Sequence, residues 1–176
     1  MATAETRKHP NILITGTPGS GKSTLSEILA KKLGFEHINV GKLIREYELY
    51  DEYDEEMDCH VLNEDKLLDH IEDRLDSDEG GYVVDYHGCD FFPERWFDFV
   101  IVLRCNNTIL YDRLKARDYS EKKIRNNLEC EIFNILLEEA VESYKAEIIH
   151  EMTNETIEQM NEICEKIEQM VSAWKN

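Results

Sequence analysis

Residues 16–23 read GTPGSGKS, which places two glycines, a lysine and a serine at the spacing G-x-x-x-x-G-K-S. Successive backbone N–H groups in such a loop can form a concave cradle for an anion, and glycines at positions 16, 19 and 21 let the main chain approach phosphates closely. The Lys22 ammonium can reach the β- and γ-phosphates of a nucleotide, and the Ser23 hydroxyl can bind Mg²⁺. The pattern therefore predicts a phosphate-binding loop.

The segments on either side of this loop have the patterns of a strand and a helix. Residues 11–15 form a short apolar run that is typical of a buried strand, and residues 22–33 repeat leucine and isoleucine at helical spacing. Gly34 is placed to end that helix. Strand, glycine loop and helix thus follow one another in the order that a phosphate-binding loop requires.

Further strands and helices alternate along the chain. Apolar runs predict strands at 35–40, 82–86 and 97–103. Apolar residues at helical spacing predict helices at 41–50, 63–75, 108–116 and 155–174, and one longer helix within 122–149. Residues 147–154 fit a fifth strand and a helix equally well. The alternation predicts an α/β fold with helices on both sides of a mostly parallel sheet.

An acidic residue follows the predicted strand at 82–86. Asp85 comes directly after two valines, and a carboxylate at the end of a strand beside the phosphate loop can hold the water ligands of Mg²⁺. His87 follows two residues later. Two interpretations of His87 stay open: a structural histidine in a tight turn, or a side chain that orients water or substrate near the γ-phosphate.

Several arginines can supply the positive charge that phosphoryl transfer needs. Negative charge spreads over the moving group, so cationic clamps matter more than a strong base. Arg113 and Arg117 are four residues apart and would share one face of a helix, which makes Arg113 a candidate phosphate clamp. Arg45 follows the second predicted strand and is placed to hold a second phosphate group. Arg95 and Arg104 are further candidates without a ranking between them.

Composition restricts the classes of partner. The chain has 176 residues and a net charge of −18, from 38 acidic and 20 basic residues. Such a surface repels nucleic acid and anionic membranes, and it favours a basic protein partner. Residues 1–10 lack the apolar segment of a secretory signal, and the five cysteines are scattered. We therefore expect a soluble protein from a reducing compartment, organised as one domain over residues 1–176.

The densest acidic stretch covers residues 51–58. Its composition is typical of a solvated loop, and a docking surface for a basic partner is the alternative. Its spacing does not match a calcium-binding loop.

Four segments together carry a resemblance to a known family. They are GTPGSGKST at 16–24, NVGKLIR at 39–45, VDYHGCDFFPERW at 84–96 and YxRLxxRxY at 111–119. In these segments the chain resembles the adenylate kinase isoenzyme 6 family, also described as coilin-interacting nuclear ATPase. The first segment is shared with many families, whereas the third is much more specific.

The resemblance implies an adenylate-kinase-like fold. It implies a five-stranded parallel sheet in the order 2-3-1-4-5, an acceptor-nucleotide region at about residues 39–62 and a short lid at about residues 116–126. It also implies the reaction ATP + AMP = 2 ADP with Mg²⁺ as cofactor, together with slower ATP hydrolysis. A lid this short can exclude water less completely, which fits the hydrolysis.

The resemblance also implies roles for individual residues. The residues expected to contact ATP are Gly16, Gly19, Ser20, Gly21, Lys22, Ser23, Thr24 and Arg117. Arg45 matches the position that holds the acceptor phosphate, and Asp85 and His87 form a Walker-B-like element. The catalytic set is thus expected to be Lys22, Asp85, His87 and Arg117, with Mg²⁺ on Ser23 and, through water, on Asp85. The stretch from 85 to 95 is longer than in ordinary adenylate kinases, which leaves the role of Arg95 open.

Partners and location follow from the resemblance alone. It implies a role in maturation of the small ribosomal subunit and its 18S rRNA, with the ribosomal protein uS11 and coilin as partners, in the nucleus and the cytoplasm. An ATP-driven assembly switch that releases a basic ribosomal protein, with incidental kinase activity, is the alternative function. A kinase for another small metabolite is a third interpretation. Among nucleotides, AMP, dAMP and CMP are all open as acceptors.

Overall fold

Five strands pair in parallel into one sheet that carries the phosphate loop near its centre. The computed structural model describes residues 7–56 and 59–174. The sheet strands are β1 (Ile12–Gly16), β2 (Glu36–Asn39), β5 (Tyr82–Asp85), β6 (Phe99–Arg104) and β7 (Ile149–Thr153). Their spatial order is β2-β5-β1-β6-β7, and all neighbours are parallel. Counted along the sheet strands alone, this is the order 2-3-1-4-5, so the predicted fold class is confirmed.

Helices cover both faces of this sheet. Their bounds are α1 (Lys22–Leu33), α2 (Val40–Glu46), α3 (Glu64–Leu75), α4 (Asn107–Lys115), α5 (Glu121–Ile132), α6 (Ile135–Ser143) and α7 (Ile157–Ala173). The α3 helix begins after Asn63, whose side chain accepts a hydrogen bond from the Lys66 N–H. This is the capping interaction that favours asparagine before a helix.

Two hydrophobic cores lie on the two faces of the sheet because successive strand residues point in opposite directions. In β1, Leu13 belongs to one core, and Ile12 and Ile14 belong to the other. The first core is completed by buried residues of α2, α3 and α6, and the second by those of α1 and α7. Every residue of β1 is buried, as expected for a parallel strand covered on both sides.

The acidic stretch differs from its prediction as a solvated loop. Residues 50–54 form strand β3 (Tyr50–Asp54), which pairs in antiparallel fashion with β4 (Cys59–Leu62). The Tyr50 ring stacks on His60 across this hairpin, with ring centroids 3.9 Å apart. Acidic side chains on a two-stranded hairpin stay solvated while the backbone groups pair, so composition alone did not reveal the strand. Met57 and Asp58 of the predicted stretch lie outside the described residues.

Two predictions for the second half of the chain are resolved by the backbone. The prediction of one longer helix within 122–149 is wrong: the segment holds two helices, because Asn134 adopts the left-handed conformation (φ 55°) between α5 and α6. Residues 149–153 form a strand that pairs with β6 along its whole length. The pairing partner, which lies about 50 residues earlier in the sequence, decides between strand and helix here.

Among the residues that the structure describes, no helix is both long enough and apolar enough to cross a membrane. All five cysteines are free thiols.

Candidate active site

The carboxyl ends of the parallel strands meet at one edge of the sheet and bring the predicted chemistry together. Asn39 and Ile14 both lie opposite Asp85, in β2 and β1 respectively, and Gly16 lies opposite Leu103 of β6. After β1 the chain continues as α1 on one face of the sheet, whereas α2 and α3, which follow β2, lie on the other face. This divergence opens a crevice at this edge. Ligands of open α/β sheets bind in such a crevice.

The phosphate loop joins β1 to α1 and is tightly packed. A Cβ atom added at Gly16, where φ is 148°, would lie 2.7 Å from the Leu103 carbonyl oxygen. At Gly21, where φ is 93°, it would lie 2.5 Å from the Asn154 side-chain nitrogen. Both positions therefore need glycine for conformation and for space. The loop main chain is free to line the crevice directly.

Lys22 folds back over this loop. Its Nζ donates to the carbonyl oxygens of Gly16 at 2.8 Å and Thr17 at 3.2 Å. Burial lowers the pKa of the Lys22 ammonium to about 8, opposed by the nearby Asp85 carboxylate and assisted by the positive charge of Arg117. A phosphate bound in the loop would place a full negative charge beside this ammonium, whereas the loop carbonyl groups are neutral.

Ser23 and Asp85 lie together at the start of α1. Ser23 Oγ donates to Asp85 Oδ1 at 3.2 Å and accepts from Asn39 Nδ2 at 3.2 Å. The His37 imidazole donates from Nε2 to the other carboxylate oxygen, Asp85 Oδ2, at 2.6 Å. Asp85 is buried, so its two oxygens are held in fixed directions.

These donors suit Mg²⁺. One hydroxyl and one carboxylate supply hard oxygen atoms, and Mg²⁺ completes its shell with water and substrate phosphate. Within residues 7–56 and 59–174, no cluster of three or more histidine, cysteine or acidic side chains could hold a metal ion without such help. The residues present therefore fit a metal that enters with a nucleotide.

His87 lies beside the same crevice. Its carbonyl oxygen accepts a hydrogen bond from the Thr15 hydroxyl at 2.9 Å, which fixes the turn after β5. The imidazole remains exposed on one side, yet the surrounding protein and the charge of Lys22 lower its pKa, to about 4. A neutral imidazole at pH 7 can accept as well as donate a hydrogen bond. The main-chain contact fits the structural interpretation, and a direct role for the side chain stays a prediction.

A cavity of about 570 Å³ opens beside the phosphate loop and is large enough for a purine nucleotide. Its walls come from the loop, from the end of α4 and from the start of α7. The lining residues are Gly19, Gly21, Thr24, Arg113, Ala116, Arg117, Asn154, Glu155, Thr156, Ile157 and Met160. Ile157 and Met160 add an apolar surface on which a base can lie. The last five of these residues were not predicted as part of the site, because they follow a segment whose strand or helix character was undecided.

The two arginines of this cavity have different surroundings. The α4 helix ends at Lys115, so Arg113 and Arg117 do not share a helix, contrary to the prediction. Arg113 donates to the carbonyl oxygens of Gly19 at 3.2 Å, Asn154 at 3.1 Å and Glu155 at 3.0 Å. Its donors therefore tie the phosphate loop to the segment after β7, and this placement disfavours the predicted phosphate clamp. Arg117 is exposed and, within the described residues, its guanidinium makes no hydrogen bond or ion pair.

The remaining candidate arginines also differ in whether their guanidinium groups are bound by other residues. Arg45 is exposed on α2 beside Gly41, and its guanidinium makes no hydrogen bond or ion pair to the part of the chain that is described. Arg95 forms two hydrogen bonds with the Asp76 carboxylate, at 3.1 and 2.7 Å. It also lies near the opposite edge of the sheet, where its neighbour Trp96 accepts from Asn11 at the start of β1. Arg104 is held by Glu131 and Glu151.

The acidic hairpin and the predicted lid approach each other. Lys122, in the first turn of α5, lies 3.3 Å from Glu56 at the tip of the β3–β4 hairpin. Both side chains are exposed, so this ion pair contributes little stability by itself. It nevertheless brings the tip of the hairpin next to the first turn of α5.

Comparison with known proteins gives one consistent family. An AAA domain family model matches residues 12–134. An adenylate kinase isoenzyme 6 homolog of Caenorhabditis elegans is 63% identical over 176 residues, covering 100% of this chain and 97% of the relative. The Drosophila melanogaster homolog is 50% identical, covering 99% of each chain. The Saccharomyces cerevisiae homolog FAP7 is 41% identical, covering 97% of this chain and 86% of its own.

Solved structures agree with this at the level of the fold. A shikimate kinase from Acinetobacter baumannii in complex with shikimate superposes with a TM-score of 0.62 and covers 97% of each chain. A gluconokinase from Sinorhizobium meliloti superposes with a TM-score of 0.51, covering 93% of this chain and 98% of its own. Their sequences are only 18% and 16% identical to this one, so they establish the kinase fold and not the substrate.

Proposed function

This chain belongs to the adenylate kinase isoenzyme 6 family of P-loop nucleotide kinases, and on that premise we propose that it transfers the γ-phosphoryl group of ATP to AMP. The observation that carries this proposal is the position of the phosphate loop between a cavity and the acceptor region. A cavity that can hold a nucleotide base lies on one side of it. The acceptor region, with the unpaired Arg45, follows the strand on the other side of Asp85.

The reaction depends on positioning and charge more than on covalent chemistry. The main-chain N–H groups of residues 16–23 would hold the β- and γ-phosphates, and the Lys22 ammonium would turn from the loop carbonyls to the phosphate oxygens. Arg117 would move over the transferring group from the lid side of the cavity. Ser23 and Asp85 would hold Mg²⁺, which neutralises phosphate charge when it is bound. His37 would keep the Asp85 carboxylate turned towards Ser23.

We also propose that the protein hydrolyses ATP more slowly than it transfers the phosphoryl group. Arg117 and Lys122 are exposed in the short lid, so water has access to the phosphates when no acceptor is bound. The lid region at 116–126 and the acceptor region at 39–62 are part of the same proposal.

The cellular role is proposed from the family and the charge. A chain of net charge −18 would attract a basic protein and repel nucleic acid. We propose a role in small-subunit and 18S rRNA maturation, with uS11 as the basic partner and coilin as a nuclear one. We also propose that the protein is present in both nucleus and cytoplasm. The second candidate function is an assembly switch, in which ATP hydrolysis releases the ribosomal protein and the kinase reaction is incidental.

One assay tests the proposed transfer. The protein is given Mg·ATP with and without AMP, and ADP is measured. Strong dependence on AMP supports the kinase, whereas equal ADP in both samples, increased by uS11, supports the switch. Parallel reactions with dAMP, CMP, shikimate and gluconate define the acceptor. Faster ADP formation with either of the last two than with AMP would contradict a nucleotide acceptor.

Arg45→Ala is expected to lower AMP-dependent ADP formation about tenfold, mainly through a higher KM for AMP, because a charge-assisted contact to the acceptor phosphate is lost. ATP hydrolysis without AMP should be unchanged within about twofold, since Arg45 lies away from the ATP cavity. Steady-state rates with varied AMP give both values. Lys31→Ala, which removes an exposed charge from α1, is the matched control. If Arg45→Ala reduces both activities equally, the acceptor assignment is wrong.

A further inference from the structure

A buried carboxylate that the proposed reaction does not use lies beside the phosphate loop. Glu131, near the end of α5, is only 6% exposed. Its Oε2 accepts a hydrogen bond from the Thr17 hydroxyl at 2.6 Å. Its Oε1 accepts from Arg104 Nε at 2.7 Å and from the Cys105 N–H at 3.2 Å. The carboxylate thus connects α5, the end of β6 and the phosphate loop.

Arg104 balances the charge of this buried group. Besides its bond to the Glu131 carboxylate, its guanidinium donates to the Glu131 carbonyl oxygen at 3.0 Å, to Asn134 Oδ1 at 2.6 Å and to Glu151 Oε1 at 3.2 Å. A buried ion pair with so many hydrogen bonds holds both partners in one geometry. Glu131 is therefore a fixed point from which the Thr17 side chain is held.

Thr17 itself is part of the phosphate loop and is 1% exposed. Its carbonyl oxygen accepts hydrogen bonds from the Ser20 N–H at 3.0 Å and from Lys22 Nζ at 3.2 Å. The same residue therefore has its main chain inside the loop and its side chain anchored outside it. A shift of the Thr17 hydroxyl would displace the peptide groups that surround the phosphates.

The helix that carries Glu131 begins in the lid region. Ser120 caps α5 by accepting from the Lys123 N–H, and Lys122 in its first turn reaches Glu56 of the hairpin. The helix has 12 residues, which corresponds to a length of about 18 Å. One rigid element thus has its first turn in the lid and its last turn on the phosphate loop.

We propose that Glu131 is a positioning residue for phosphoryl transfer, which acts through Thr17 to hold the phosphate loop in register with the base of the lid helix. The inference rests on the proposed kinase function. Glu131 touches no substrate. Without the hydroxyl–carboxylate bond, the loop at Thr17 would shift relative to the lid helix, and the γ-phosphate would be presented at a changed distance from Arg117. Displacements of about 1 Å in such an arrangement reduce rates by up to about a hundredfold.

Four variants test this inference. Thr17→Val removes the hydroxyl donor and keeps nearly the same side-chain shape, whereas Thr17→Ser keeps the hydroxyl. Glu131→Gln removes the charge and keeps the size of the acceptor side chain. Glu151→Gln is the control, because Glu151 is the exposed carboxylate on the same Arg104 and does not contact the loop.

We expect kcat/KM for Mg·ATP to fall about tenfold in Thr17→Val and in Glu131→Gln, and to recover most of this loss in Thr17→Ser. The double variant Thr17→Val with Glu131→Gln should be no slower than the slower single variant, because both substitutions act on the Thr17–Glu131 contact, which Thr17→Val removes and Glu131→Gln weakens. Glu151→Gln should leave the rate unchanged within about twofold.

The inference is overturned if Thr17→Val stays within about twofold of the parent, or if the two single losses multiply in the double variant. Glu131→Gln removes the negative charge that pairs with the Arg104 guanidinium, so this variant can fail to fold. In that case the comparison of Thr17→Val with Thr17→Ser decides. If the parent protein forms no AMP-dependent ADP, the proposed acceptor is wrong, and the calorimetric Kd for Mg·ADP decides instead. A roughly fivefold weaker Kd in Thr17→Val that Thr17→Ser reverses supports the role of Glu131, and an unchanged Kd overturns it.

Discussion

Lys22→Met lowers AMP-dependent ADP formation by about a thousandfold or more, and it lowers ATP hydrolysis comparably, because the ammonium that would neutralise the β- and γ-phosphates is gone. Methionine keeps an unbranched apolar chain of similar length, so the packing of the Lys22 stem against the loop is retained. The ammonium contacts in the structure are to the Gly16 and Thr17 carbonyl oxygens, which water in the open crevice can satisfy. We therefore expect the fold to survive this substitution.

The measurement for Lys22→Met is kcat/KM for Mg·ATP in both assays, together with calorimetric titration by Mg·ADP. Lys31→Met makes the same chemical change on the exposed side of α1 and serves as the control. A loss of less than about tenfold in Lys22→Met, with normal Mg·ADP binding, would show that the loop does not hold the triphosphate as proposed.

We expect Arg117→Ala to lower the rate of phosphoryl transfer by about a hundredfold or more, since the guanidinium that we propose stabilises the transferring group is lost. Arg117 lines the nucleotide cavity, is exposed, and is close enough to Lys22 to lower the pKa of its ammonium. Its guanidinium has no hydrogen-bond or ion-pair partner among the described residues, so its removal breaks no interaction of these kinds. The loss should therefore appear in kcat without a change in melting temperature.

Two further variants sharpen the Arg117 experiment. Arg117→Lys keeps the charge but loses the planar fork, so we expect an intermediate loss of about tenfold. Lys115→Ala removes a neighbouring positive charge. The Lys115 ammonium forms an ion pair with Glu121, and Lys115 does not line the cavity. We expect that variant to retain its rate within about twofold. An equal loss in Lys115→Ala and Arg117→Ala would mean that only the general positive field matters, and a change of a few-fold in Arg117→Ala would mean that its side chain stays in solvent.

Arg113 shows why spacing along the chain is an incomplete guide to a site. Four residues separate it from Arg117, and that interval suggested one helix face. In the structure α4 ends between them, and the Arg113 guanidinium donates hydrogen bonds to three main-chain carbonyl oxygens. The end of a helix depends on the contacts of its last turn with the rest of the protein, which no local pattern contains.

Arg95 and Arg104 illustrate the same limit for charged residues. Their positions in the sequence placed both near the ends of predicted strands. Arg95 pairs with Asp76 near the far edge of the sheet, while Arg104 holds Glu131 beside the phosphate loop. Whether an arginine is available to a ligand depends on which acidic side chains reach it, and these partners come from distant parts of the chain.

The phosphate loop, the α/β class and the strand order could all be predicted from the amino-acid sequence, the last of these through its family resemblance. The loop could be predicted because its function is carried by consecutive residues, whose glycines and lysine act through local backbone geometry. The Asn63 cap and the strand that ends at Asp85 are local in the same sense. Residues 147–154 were undecided because a short apolar run satisfies both periodicities.

The enclosure of the site and the contacts that hold it became visible only in the folded chain. The bond from Thr17 to Glu131 joins residues 114 positions apart, and the contact from Asn154 to the Ser20 carbonyl oxygen joins residues 134 positions apart. Such pairs are created by the crossover connections of the parallel sheet, which return distant segments to the same edge. Hydrogen bonding at that edge depends on distances between side chains, and these distances exist only once the sheet has formed.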